Sequence, residues 1–142
     1  MIASLYNGVA KSARAWLVKY LNERKPSNLG ASLATLPRHQ LAVGEIEALL
    51  WSNEQLLHGL AAAIEREGYL PKLVGGTATA KYLATNNAVR AVDIAMSLVG
   101  NPGLYRANPL ERHHRDVLCS RIHVPQDDTV LLIAGKAALG VA

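Results

Sequence analysis

Apolar side chains return every three or four residues at the start of the chain: Ile2, Leu5, Tyr6, Val9, Ala13, Trp16, Leu17 and Tyr20. That is the spacing of one helix face, and Lys11, Arg14 and Lys19 mostly take the other side. The pattern predicts a helix over Ile2–Glu23, closed off before Pro26, which disfavours helical backbone in its predecessor. The stripe is wide for a surface helix and demands a covering neighbour. A second run predicts a helix over Arg38–Glu67, with Ala42, Ile46, Leu49, Leu50, Asn53, Leu56, Leu57, Leu60 and Ile64 inward. Asn53 is the polar member of that stripe; a buried amide normally meets a partner, so it reads as a structural hydrogen bond. Gly68 supplies a C-terminal stop and Pro71 prevents continuation. His39 and His58 read as isolated surface residues of this helix. A third helix is predicted from Val74 or Thr77 to Val99. Tyr82, Thr85, Val89, Val92, Met96 and Val99 form one stripe, and Ala88, Ala91, Ile94, Ala95 and Leu98 fill other faces. A helix apolar on most sides is central, and small residues let a neighbour approach closely. Asp93 reads as a charge at the bundle edge.

Two connections rich in Gly and Pro punctuate these runs, 24–37 and 100–107. The first is long for a helical domain; it either crosses the end of a bundle or meets a ligand. Asn108, Pro109 and Glu111 then form a variant of the capping box, predicting a fourth helix over Pro109–Ile122. Val124-Pro125 interrupts it. Asp127, Asp128 and Thr129 begin a last helix to Leu139, ended by Gly140. There is no strand pattern, internal repeat or low-complexity tract. The expected fold is all-α: an antiparallel up-and-down four-helix bundle with a short C-terminal helix, residues 1–142 forming one domain.

Composition narrows the picture modestly. With 142 residues the chain can bury one core unaided. The single cysteine, Cys119, has no internal disulfide partner and suits a reducing, cytoplasmic setting; it reads as a small buried residue. No apolar run reaches the ~18 residues of a membrane span, and the N-terminus lacks a signal-peptide pattern. Net charge is +4, but the cations are scattered except around Arg106–Arg121. A solvated basic surface explains them better than nucleic-acid binding.

Chemistry concentrates in Asn108–Thr129, which holds three of the five histidines, the cysteine and the densest run of arginine. Adjacent helical residues point about 100° apart, so His113 and His114 do not chelate one metal. Glu-x-x-His and Cys-x-x-Cys are absent, which disfavours a metal centre. Cys119 and Ser120 have no evident base to activate them. Glu111 and Arg115 are spaced for a helix ion pair. His123, at the helix break, reads either as an acid or hydrogen-bond donor or as a C-terminal cap.

In order, these features resemble the C-terminal helical-bundle domain of the acyl-CoA dehydrogenase superfamily of flavoenzymes. The likeness rests on LYNGVAKSA around Gly8, then on ERKPSNLGASLATLPRHQLAVGEIEALL with Gly30, Leu33, Gln40 and Glu45 in register. It continues through NPGLYRANPLERHHRD, which supplies a Gly-bearing turn, Pro-x-Glu and Arg-Asp. The resemblance implies FAD, or in the monooxygenase branch a reduced flavin or FMN. It places Gly30, Gly100 and Asn101 on the cofactor, partly across a subunit interface, with Arg115 on the cofactor side. Pro26 and Leu29 stand where the family has arginine and phenylalanine, so Arg24 or Lys25 is left to supply the cation. Where typical members read Ile-Tyr-Glu-Gly-Thr, this chain reads Ile122-His123-Val124-Pro125-Gln126, and Val124 occupies the position of the catalytic glutamate. His123 instead resembles the histidine of the flavin-dependent monooxygenase branch and is the candidate catalytic residue. The N-terminal helical and middle β-domains of the superfamily are not in this sequence, so it is expected to be a fragment, remnant or separately encoded subunit. The implied partners are further copies, as dimer or tetramer, and a chain supplying the missing domains. The competing reading is a non-catalytic oligomerisation module derived from the family.

Overall fold

A computed structural model describes residues 2–68 and 71–141, with the side chains of 71–74 left aside. Five α-helices follow one another: α1 (Ile2–Glu23), α2 (Pro37–Glu67), α3 (Pro71–Val99), α4 (Pro109–Leu118) and α5 (Asp127–Leu139). Short 3-10 turns occupy Leu33–Thr35, Asn101–Leu104 and Cys119–Ile122, and there is no strand among the described residues.

Cross-helix pairs fix the directions. Lys11 pairs with Glu54 while Arg14, further along α1, pairs with Glu47, earlier in α2. Glu45 likewise meets Arg90, whereas Asn53 meets Asn87. Numbers that rise on one helix as they fall on the next define antiparallel neighbours, so α1 and α3 run the same way. The bundle is up-and-down, as the pattern predicts.

The sequence reason for the core is spacing. Tyr6, Ala10, Ala13, Leu17 and Leu21 are buried on α1, and Ile46 and Leu50 on α2. On α3 the buried alanines 80, 84, 88, 91 and 95 form a groove of small side chains, into which α1 and α2 pack from two sides. Leu110 and Val117 of α4 complete the same cluster. Helix α3 is therefore central, as its all-round apolar pattern implies.

Several expectations are corrected. Helix α3 begins at Pro71, earlier than Val74 or Thr77, because proline fits the first helical turn. His39 is buried, 1% exposed. It stands one heptad before Ile46 and two before Asn53, on the same row of the inner stripe. Helix α4 ends at Leu118 and tightens to a 3-10 turn over Cys119–Ile122. The tighter pitch rotates Ser120 inward and leaves Cys119 exposed, not buried. The capping box is half-formed: Asn108 Oδ1 accepts from the Leu110 amide at 3.0 Å, but Glu111 turns to Arg115 instead of back to Asn108.

Candidate functional site

Two regions of the bundle hold the candidate residues, at opposite ends. At one end, the chain leaves α1 through the loop 24–36. The Leu33 amide donates to the Arg24 carbonyl at 3.0 Å, and the Gln40 side-chain amide donates to the Ala34 carbonyl at 3.0 Å, folding the loop onto α2. Gly30 sits at φ +67°, a backbone region that side chains with a Cβ rarely adopt. Arg24 and Lys25 are exposed and make no ion pair among the described residues. Because α1 and α3 run the same way, Gly100 stands at this same end, at φ +66°. The turn after it is held by the Gly103 amide on the Gly100 carbonyl at 2.9 Å and by the Asn108 amide group on the Pro102 carbonyl at 2.9 Å. Asn101 is exposed on it. The fold thus brings together Arg24, Lys25, Gly30, Gly100 and Asn101, far apart in sequence, around one end of the bundle.

Arg115 is paired along its own helix, α4. Its guanidinium makes a two-pronged pair with Glu111, Nε to Oε1 at 2.7 Å and one terminal nitrogen to Oε2 at 3.2 Å. The hydrogen bond from Arg115 holds the Glu111 carboxyl below its ordinary pKa and raises the arginine's own. Arg106 and Arg112 border the same open, cation-rich depression. His114 reaches across to Asp93 of α3 at 3.0 Å, so Asp93 is an inter-helix contact at the bundle edge. Burial, then Arg112, lowers the His113 pKa. No group of three metal-ligating side chains exists among the described residues.

The other end is built around His123. The 3-10 turn delivers the chain to His123 in extended conformation, φ −81° and ψ 132°, just before the cis Val124-Pro125 bond. Its Nε2 lies 2.7 Å from the hydroxyl of Tyr6, with the two rings tilted by 46° at 5.6 Å. The ring is thus engaged with α1 and does not cap the carbonyls of its own helix. Tyr6 is 4% exposed, and burial, followed by Cys119 and Asp116, pushes its phenol pKa up. Val124, by contrast, is 83% exposed. Beside it, the ammonium of Lys81, itself buried, donates to the Pro125 carbonyl at 3.1 Å and pairs with Asp127 at 3.2 Å. A shallow cavity of about 290 Å³ lies among Ile2, Ala3, Thr77, Ala78, Lys81, Val124 and Pro125. The spacing places Tyr6 in the core stripe and does not single out Lys81. The available signal was chemical: a buried phenol normally finds a hydrogen-bond partner.

Residues 1–127 match the family model for the C-terminal domain of acyl-CoA dehydrogenases. The chain belongs to this family. It is 35% identical over 130 residues to the acyl-CoA dehydrogenase-like YdbM of Bacillus subtilis (strain 168), covering 92% of this chain and 34% of the relative. It is 30% identical over 109 residues to a 3-sulfinopropanoyl-CoA desulfinase of Cupriavidus necator, covering 77% of this chain and 26% of that protein. Its fold matches butyryl-CoA dehydrogenase from Megasphaera elsdenii with a TM-score of 0.86 at 24% identity, over 97% of this chain and 35% of the other. This acyl-CoA dehydrogenase C-terminal domain therefore spans about a third of its first curated relative's length. The family to which it belongs binds FAD and forms homo-oligomers. Among the described residues, no helix is long and apolar enough to cross a membrane.

Proposed function

We propose that this chain is the flavin-binding and oligomerisation part of an FAD-dependent, acyl-CoA dehydrogenase-like oxidoreductase, and that it needs further domains or chains to act. The observation behind this reading is the placing of the two candidate regions. Along α1, Tyr6 at the His123 end and Glu23 at the Gly30 end are about 25 Å apart, at ~1.5 Å per residue. That separation supports cofactor sites completed between copies, with one copy offering its loops and another its His123.

The residues at the loop end fit a dinucleotide. Arg24 and Lys25 are free cations for a pyrophosphate, and Gly30 and Gly100 leave the backbone open to close approach at positive φ. Arg115 is already neutralised by Glu111, so in this reading it orders α4 and makes no phosphate contact. Bound flavin supplies the two-electron chemistry; this chain's own residues bind it and set hydrogen bonds beside it. FMN, the alternative left open by sequence, has no support among the relatives.

With Val124 at the usual glutamate position, there is no carboxylate there to abstract an acyl α-proton, which favours a reaction other than ordinary dehydrogenation. That one relative is a desulfinase shows that kindred chains serve more than one chemistry. His123 is then the residue at the reacting edge. Titration of the chain with FAD tests the reading: a spectral shift and retention through gel filtration support it. No binding at high micromolar FAD favours the competing reading, a non-catalytic oligomerisation module. In the complete assembly, His123→Ala should lose turnover yet keep flavin; unchanged turnover rejects His123 as a participant.

A further inference from the structure

The Tyr6–His123 contact specifies which ring nitrogen of His123 carries the proton. Either partner can donate across 2.7 Å, but the two choices differ in what they leave unmade. Among the described residues, His123 is the hydrogen-bond partner that the Tyr6 hydroxyl has. Were Nε2–H the donor, the phenol proton would point into the buried surroundings of a residue only 4% exposed, and an unmade buried donor is costly. With Tyr6 donating, the phenol proton and the Nε2 lone pair satisfy each other. The phenol keeps its proton through the physiological range, since burial raises its pKa.

The other ring nitrogen has the opposite surroundings. Among the described residues, Nδ1 of His123 makes no hydrogen bond, and the buried polar atom found there without a partner is His39 Nδ1, not this one. It therefore keeps some access to solvent in the half-buried His123, whose chain neighbours Ile122 and Val124 are exposed.

We infer that Tyr6 is a positioning residue: its hydroxyl donates to Nε2 of His123 and so presents Nδ1–H, a neutral hydrogen-bond donor, at the open side of the ring. This rests on the reading of His123 as the residue beside the cofactor, and it sharpens that reading. A ring held this way has no free lone pair and does not replace the missing glutamate as a base. Its ligand is a hydrogen-bond acceptor, an oxygen or nitrogen lone pair or a developing anion.

The experiment needs no flavin, so its outcome is separate from that of the cofactor titration. Nitrogen-15-labelled histidine in the full chain, observed by long-range proton–nitrogen correlation at mildly alkaline pH, reports the tautomer of each ring. The His123→Ala spectrum assigns the signal. In the wild type, the Nδ1–H form should exceed the Nε2–H form by about tenfold or more. In Tyr6→Phe the preference should collapse or reverse, while the His39 signal stays in place as a marker of the intact core. A wild-type His123 that is mainly Nε2–H overturns the inference, as does a Tyr6→Phe spectrum with the original tautomer. A merely structural tyrosine would change stability and leave the tautomer alone. If Tyr6→Phe does not fold, the wild-type ratio alone decides.

Discussion

Replacing Asn53 by alanine removes a hub that ties three helices. Its side chain is fully buried. The amide group donates to Asn7 Oδ1 of α1 and to the Ala84 carbonyl of α3, both at 2.9 Å, while its oxygen accepts from Asn87 at 2.9 Å. The three lost bonds do not leave equal damage. Ala84's carbonyl sits within a helical ladder, and Asn87 also reaches Ser52 Oγ at 3.3 Å. Asn7, 5% exposed, loses the partner of its oxygen. Three net bonds at ~1 kcal/mol each, plus ~1 kcal/mol for the stranded oxygen, give a loss of about 4 kcal/mol. Urea denaturation followed by far-ultraviolet circular dichroism measures it; with a slope near 2 kcal/mol/M the midpoint should fall by about 2 M. The double variant Asn7→Ala, Asn53→Ala should cost less than the sum of the singles by about 1 kcal/mol or more, because both sever one bond. A midpoint shift under about 0.5 M, or strict additivity, would refute the hub.

Two further outcomes follow from buried charge. Lys81→Met removes the cation, 4% exposed, that holds Pro125 and Asp127; a loss of about 2 kcal/mol is expected, with hydrogen exchange accelerated across α5 first. Uniform acceleration across the bundle would contradict that anchoring. Burial, then Arg38, depresses the folded pKa of His39. The unfolded chain therefore binds the extra proton, and its contribution is whole above about pH 6.5 and declines as pH falls through that value toward the folded pKa. His39→Leu should flatten the stability profile below neutrality; an unchanged slope there would show that other groups set it.

Much of this architecture is legible in the chain because helix faces are periodic. The Ile2–Glu23 boundaries, the centrality of α3 and the inward Asn53 all follow from three-and-four spacing and stop residues. His39 was legible too, had the inner row been extended one heptad back from Ile46, but a polar residue near a helix start reads as solvent-facing. Other features lie beyond local pattern. The turn at Cys119 exchanges which neighbour is buried through a change of helical pitch that composition does not signal. Tyr6 and His123 are separated by 117 positions, and their meeting depends on how α1 and α4 pack. The Gly30 and Gly100 loops share one end only because two intervening reversals bring α1 and α3 into the same direction. The family motifs could pick out each residue separately, but not the distance between the two groups.

Helix α5 buries Val130 alone, leaves Leu131, Leu132, Ile133 and Leu139 exposed, and is fastened at its first residue, Asp127, to Lys81 and Asn86. Mechanically that is a rod about 20 Å long held near one end. A rotation of about 10° at that end would carry the Leu139 tip through about 3 Å at that length. The held end lies in the same few residues as His123 and Val124. Whatever reorganises that corner would be reported, enlarged, at the far tip of the lever, and a neighbour gripping the tip would in turn pull on the corner.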